Sequence, residues 1–318
     1  MTHRRLPCRP TLLAFALLLA AGTARAGTPA PVFASEVAVV NVHATVTRDD
    51  APVPEGLCAA DFRVIEDGRP QEVAYFAHED VPVTYTLLVD VSGSMRKRAR
   101  LVFEALETFV ESMRPGDRAG IVLFGTTAKV LQEETGDTEA LLAATDRIPG
   151  DFDDGTALYE VLYGHFGEAG PRACRAEGAP RRCALVVFSD GKDETSRRSF
   201  RADVIDAARR TELAVYPVAM TRHDAFLERL ARETGGRVSY VDHGGELADA
   251  YRAIAAELAS QYTIGYVPEA APRPGAWRPV KVTVARKGVT VRHRPGYFTP
   301  SRAVRADDER AVAEALRD

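Results

Sequence analysis

The chain has 318 residues, 46% of them hydrophobic and 27% charged, with a formal net charge of −4 and four cysteines. That length suffices for a sizeable core and one or two domains. The mildly acidic balance excludes partners that demand concentrated positive charge, nucleic acid and anionic membrane surfaces among them.

The first residues read as a secretory signal peptide over 1–26. Arg4, Arg5 and Arg9 precede an apolar run from Leu12 to Ala21, and Ala24-Arg25-Ala26 supplies a small-residue cleavage site. The run is shorter than the roughly 20 residues of a membrane span and no later stretch qualifies, so the mature protein is expected outside the cytoplasm, periplasmic or secreted, with no transmembrane span. Cleavage removes four arginines and no acids, leaving 41 − 4 = 37 bases against 45 acids, a balance of −8. Cys8 leaves with the peptide. In an oxidising compartment Cys174 and Cys183, which bracket a Gly/Pro/Arg-rich loop, form the expected disulfide, stabilising by about 2–3 kcal/mol. Cys58 is then odd.

From Val37 to Thr47 apolar and polar residues alternate, with Val40, Val42, Ala44 and Val46 on one face, as in a half-buried antiparallel strand. Strands are predicted over Asp61 to Glu66 and Gln71 to Phe76, separated by the turn Asp67-Gly68-Arg69-Pro70. Near the other end Tyr262, Ile264 and Tyr266 alternate, as do Val280, Val282 and Val284, then Val289 and Val291. Neither flank alone holds enough strands for an independent core, so 27–80 and 261–300 are expected to pair into one small β-sandwich-like domain.

Between them, over 81–260, the rhythm is strand and helix in turn. Thr84 to Val89 reads as a buried central strand. Then come a helix from Arg98 to Met113, a strand Ala119 to Phe124, helices Thr138 to Arg147 and Ala157 to Phe166, and a strand Ala184 to Ser189. Helix Phe200 to Thr211, strand Ala214 to Val218, helix Asp224 to Thr234, strand Arg237 to Val241 and helix Glu246 to Ser260 complete it. The pattern predicts an α/β fold, a Rossmann-like, mostly parallel sheet flanked by helices. Residues 301–318 read as a peripheral charged tail.

The central strand ends in Asp90-Val91-Ser92-Gly93-Ser94-Met95, one carboxylate and two hydroxyls at alternate positions where the Ser-Gly pair breaks the run. Short oxygen-bearing side chains at such a turn can converge on one hard cation. Ligands of open parallel sheets bind outside the carboxyl ends of the strands. Two other loops at that edge carry oxygen: Asp154-Gly155-Thr156, which opens a helix, and Ser189-Asp190-Gly191, which leaves a very apolar strand. Taken singly, Ser92, Ser94 or Thr156 reads as a helix cap and Asp190-Gly191 as a turn. Three such features at one edge point instead to a metal site. The histidines show no metal-ligand spacing, and His223, His243 and His293 read as surface or β-edge residues.

The order Asp-x-Ser-x-Ser, Gly-Thr, Ser-Asp-Gly resembles the metal-ion-dependent adhesion site of von Willebrand factor A domains. The flanks, with Ala60-Asp61-Phe62, Glu66-Asp67-Gly68-Arg69-Pro70-Gln71 and the ending Gly296-Tyr297-Phe298, are similar to a bacterial secreted family related to that domain and known chiefly from acidobacteria. The resemblance spans about residues 36–300. It implies that Ser92, Ser94 and Thr156 touch the metal through their hydroxyls, that Asp90 and Asp190 contribute directly or through water, and that a partner's Asp or Glu completes the shell around Mg2+ or Mn2+, with Ca2+ a third candidate. Asp154 departs from the family, which has a small residue there. With Asp151 and Asp153 it makes an acidic loop, read as solvated, and Asp154 is a candidate regulatory or partner-facing group, able to take the open coordination position at rest.

The expected function is a non-catalytic, metal-dependent module that captures an acidic residue of a protein or surface ligand. The alternative is a structural component of an envelope assembly in which the metal site is vestigial. A hydrolase fits less well, because the turn is not Gly-x-Ser-x-Gly and no histidine stands at a recognisable triad position. A phosphotransferase using Asp90 lacks a phosphate-binding Gly-rich loop.

Overall fold

The computed structural model describes residues 39–49, 51–53, 56–78, 81–148, 152–168, 182–221, 223–241, 244–269 and 273–299. The N-terminal flank supplies β1 (Val40–Arg48), β2 (Ala51–Pro52), β3 (Phe62–Glu66), β4 (Arg69–Gln71) and β5 (Val73–Ala77). The middle continues with β6 (Val83–Asp90), α1 (Ala99–Ser112), β7 (Arg118–Phe124), β8 (Ala128–Thr135), α2 (Thr138–Thr145), α3 (Leu158–Glu168) and β9 (Arg182–Ser189). After these come α4 (Arg201–Arg209), β10 (Ala214–Ala219), α5 (Ala225–Thr234), β11 (Ser239–Tyr240) and α6 (Gly244–Ala259). The chain returns to strands with β12 (Tyr262–Tyr266), β13 (Trp277–Val284), β14 (Thr290–His293) and β15 (Gly296–Phe298).

The middle strands form one sheet in the order β11-β10-β9-β6-β7-β8, parallel except that β8 runs against β7. Helices cover both faces of β6, which explains its unbroken apolar run. Val83, Tyr85, Leu87 and Val89 pack with Phe109, Leu141 and Tyr251 from α1, α2 and α6. Leu88 faces the other way, toward Leu158, Val204 and Leu230 from α3, α4 and α5. The start of β6 is pinned as well: Val83 N–H donates to the buried Asp117 carboxylate at 2.8 Å, and Gly116 supplies the φ of +92° that the preceding turn requires.

The flanks pair with each other. One antiparallel sheet runs β14-β1-β12-β5, with β2 beside β1, and another runs β15-β13-β3-β4. Val42 stands opposite Ile264, Val46 opposite Val291, and Val64 opposite Val282. Val42, Ala44, Val46, Phe62, Val64, Tyr262, Ile264 and Val280 close a separate apolar core. Thr45, on the opposite face of β1, is also buried, because it meets the C-terminal end of α6. There the buried Glu257 forms ion pairs with Arg237 at 3.1 Å and with Arg292, and accepts the Tyr216 hydroxyl at 2.9 Å. One carboxylate thus joins α6, the parallel sheet and β14.

One local expectation is corrected and two features go beyond the sequence reading. β8 had no sequence signal: it is an edge strand with no buried residue, so neither alternation nor an apolar run marks it. The segment expected as one strand over Gln71 to Phe76 is two, broken at Glu72, with β4 pairing to β3 and β5 to β12 in a different sheet. The helix expected from Arg98 is entered through a 3-10 turn over Gly93–Arg98. Cys183 stands in a disulfide whose other half lies outside the described residues. Residues 1–26, Asp151, Cys174, His243 and 301–318 also lie outside them.

Candidate metal centre

The parallel register places the ends of three strands side by side, with Val89 opposite Phe188 and Asp90 opposite Phe124. Asp90, the last residue of β6, is therefore next to the end of β9. Its Oδ2 accepts from the Ser189 hydroxyl at 2.6 Å and its Oδ1 from Ser92 N–H at 3.0 Å. Burial pushes the Asp90 carboxyl up, against the hydrogen bonds from Ser189 and Ser92. The Ser92 and Ser94 hydroxyls lie 3.2 Å apart. Ser94 donates to Asp190, which Lys192 Nζ meets at 2.9 Å. Burial acts to raise the Asp190 carboxyl, but the donors Lys192 and Ser94 outweigh it and hold the group below its ordinary value.

The third loop is sewn to the first two. Ser92 bridges to Asp153, whose N–H donates to the Val91 carbonyl at 2.7 Å. The Asp153 carboxylate accepts from Thr126 N–H at 3.1 Å and from the Thr126 hydroxyl at 2.9 Å. Gly125 permits this approach, since a Cβ there would lie 2.5 Å from Asp153 Cβ. The Thr156 carbonyl accepts Glu194 N–H and Thr195 N–H at 2.8 and 2.9 Å, so Thr156 is tied to the loop that follows Asp190. Gly191 takes the turn after Asp190 with φ +80°, and its N–H donates to Ser189 Oγ at 3.0 Å.

Neither reading as a helix cap survives. Ser92 precedes the 3-10 turn but makes no side-chain cap. Thr156 lies before the start of α3, and its Oγ1 is buried without a hydrogen-bond partner among the described residues. Asp90, Ser92, Ser94 and Asp190 are linked by the hydrogen bonds above. Asp154 is exposed on the rim. Of the acidic loop read as solvated, Asp153 is instead a structural tie. Sequence reasoning also missed Ser189, which is 0% exposed and orients Asp90, and Lys192. Ser189 was visible beside Asp190, but what sets it next to Asp90 is the parallel register one step past the Val89–Phe188 pair, which the sequence does not carry.

Residues 85–192 match the family model of the von Willebrand factor type A domain. This stretch is a von Willebrand factor type A (VWA) domain. Over 115 residues it is 32% identical to proteins named UPF0353 protein in Mycobacterium ulcerans and Mycobacterium marinum, covering 34% of this chain and 34% of each relative. The chain thus spans about a third of the length of the curated relatives it matches. Among solved structures, an aerotolerance-related membrane protein from Bacteroides fragilis is similar over 55% of this chain and 98% of its own, at 20% identity and a TM-score of 0.44. A von Willebrand factor type A protein from Catenulispora acidiphila is similar over 85% and 76%, at 14% identity and 0.46. Mussel byssus proximal thread matrix protein 1, with a zinc-occupied MIDAS motif, is similar over 57% and 49%, at 16% and 0.46.

The VWA family implies a divalent cation at this edge, and the residues fit one. A buried hydroxyl without a partner costs about 1–3 kcal/mol, and Thr156 Oγ1 is such a group. Asp90 and Asp190 are 1% and 7% exposed, and Asp90 is met by neutral donors, so its buried charge calls for a cation. Among the described residues no three His, Cys, Asp or Glu side chains cluster as a metal site. The donor set is instead two carboxylates and three hydroxyls, suited to a hard ion.

Proposed function

We propose that the protein is a non-catalytic binding module, exported from the cytoplasm, whose VWA domain holds Mg2+ or Mn2+ and captures an Asp or Glu side chain of a partner protein. The unpartnered, buried Thr156 hydroxyl carries this reading, since a ligand to the ion is the role that satisfies it. Ser92, Ser94 and Thr156 would hold the ion through neutral oxygens, with Asp90 and Asp190 directly or through water. A bound ion so weakly neutralised supplies a Lewis-acidic position for an incoming carboxylate. The chain's own residues then have two tasks: Ser189 and Ser92 N–H orient Asp90, and the ties from Asp153 and from Glu194 and Thr195 keep the three loops in register. Catalysis is disfavoured because the Ser92 and Ser94 hydroxyls meet each other and Asp190, and among the described residues no histidine reaches them. In the exported protein the disulfide at Cys183 is assigned to Cys174, testable by peptide mass mapping.

The deciding experiment is titration of Mg2+ and Mn2+ by calorimetry into the purified chain and Asp90→Ala, with crosslinking to envelope extract in Mg2+ and in EDTA. Equal capture under both conditions sinks the reading. A vestigial site in a structural envelope component is the second reading. The Lys192 ammonium at Asp190 favours it, since it already balances one carboxylate. No detectable metal binding with undiminished partner capture by Asp90→Ala would establish it.

A further inference from the structure

Two of the three loops that form the centre carry exposed basic residues. The turn after Ser94 exposes Arg96, Lys97 and Arg98, and the loop after Asp190 exposes Arg197 and Arg198. Among the described residues none of these five side chains forms an ion pair. The backbone of the second pair is tied to α3, because the N–H groups of Arg197 and Arg198 donate to Glu160 Oε1 at 2.6 and 2.7 Å. The rim's acids are mostly engaged. Asp153 accepts from Thr126, and Asp193 accepts from Tyr159 N–H at 3.0 Å and the Ser196 hydroxyl at 2.6 Å, which leaves Asp154 and Glu194 exposed. A chain of net charge −4 thus sets five exposed cations on two of the loops of the centre proposed to take a carboxylate, with the Glu160 carboxylate beside only the second pair.

We propose that the partner presents an acidic peptide segment, one of whose carboxylates enters the metal centre while its neighbours lie on Arg96, Lys97 and Arg98 and on Arg197 and Arg198. The inference rests on the metal-capture reading for the central carboxylate and adds the flanking charges. Asp154 marks the side on which acidic residues are repelled.

The test uses three fluorescent peptides with a single central Glu and flanks that are Glu-rich, Ser-rich or Lys-rich, measured by anisotropy against the full chain in Mg2+ and in EDTA. The variants are Arg96→Ser/Lys97→Ser/Arg98→Ser and Arg197→Ser/Arg198→Ser. The Glu-flanked peptide is expected to bind at least tenfold tighter than the Ser-flanked one, with a steep salt dependence. The triple variant is expected to lose about tenfold for the Glu-flanked peptide alone, with Mg2+ binding unchanged by calorimetry. Equal binding of the Glu- and Ser-flanked peptides, or discrimination that survives in both variants, overturns the proposal. Discrimination that depends on these residues but is equal in EDTA supports the basic rim while overturning the metal reading. A sulfated oligosaccharide bound more tightly through the same residues overturns the peptide assignment.

Discussion

Ser189 Oγ donates to Asp90 Oδ2 at 2.6 Å across adjacent parallel strands, and the same oxygen accepts Gly191 N–H at 3.0 Å. One hydroxyl therefore sets both the orientation of the first carboxylate and the turn that carries the second. Residues that orient ligands in this way typically change metal affinity by 10- to 100-fold. Ser189→Ala is expected to weaken Mg2+ binding about tenfold in calorimetry while its circular dichroism spectrum is unchanged. Unaltered affinity would remove Ser189 from the site.

Thr156→Val replaces the unpartnered hydroxyl by a methyl group at almost constant volume. Relief of that desolvated polar group should leave the metal-free protein equally stable or more stable by about 1 kcal/mol. Mg2+ affinity should fall below detection. Opposite signs for stability and binding are the signature of a ligand; a loss of both would mark Thr156 as structural.

Glu257→Gln keeps the shape at the joint but leaves Arg237 and Arg292 without their carboxylate. Breaking one side of a buried pair costs about 3–5 kcal/mol, and the partly exposed arginines reduce this to about 2–3. Urea unfolding should show a lower midpoint with an unchanged slope. Adding Arg292→Gln should recover part of the loss.

Acid should destabilise the fold through two histidines. Burial pushes His165 down to about 4, and burial also lowers His293, opposed in part by its hydrogen bond to the Arg294 carbonyl. His293 Nε2 accepts Val282 N–H at 2.9 Å, which requires the neutral ring. Both groups are depressed in the fold, so their contribution is complete above the unfolded value near 6.5 and is lost as pH falls toward 4. His165→Gln should flatten a plot of unfolding free energy over that window by about 2 kcal/mol.

Asp154→Ala tests the exposed rim acid. If its carboxylate repels or competes with an incoming acid, the variant should bind a Glu-containing peptide several-fold more tightly in Mg2+. Unchanged peptide and metal affinity would leave Asp154 as a solvated residue.

The parallel core was legible because β6 and β9 are buried on both faces and so are written as continuous apolar runs. The site's three loops were legible through short oxygen-bearing residues at strand ends. What the sequence concealed depends on distance along the chain or on exposure. Edge strand β8 buries nothing, and the Glu72 crossing between sheets leaves no mark in a run that still looks like one strand. Asp153 looked like one of several solvated acids, yet its role is decided by Thr126 and Gly125. Glu257 sat unremarked on a predicted helix, since its partners Thr45, Tyr216, Arg237 and Arg292 come from four separate segments.

The pairing of β1 with β12 and β14, and of β3 with β13, bears on the order in which the molecule can form. The VWA sheet completes its pairing within its own stretch of chain, but Val42 and Val64 meet Ile264 and Val282 only after everything between has been made. Closing contacts across so long a loop is slow and comes late. The first five strands to emerge thus wait with open apolar edges, the condition that invites misassembly on a growing chain. A chain cut after Ala259 would keep the three loops of the candidate site yet leave β1 and β3 without β12, β13 and β14, so the returning strands are what seals the edges of the opening ones.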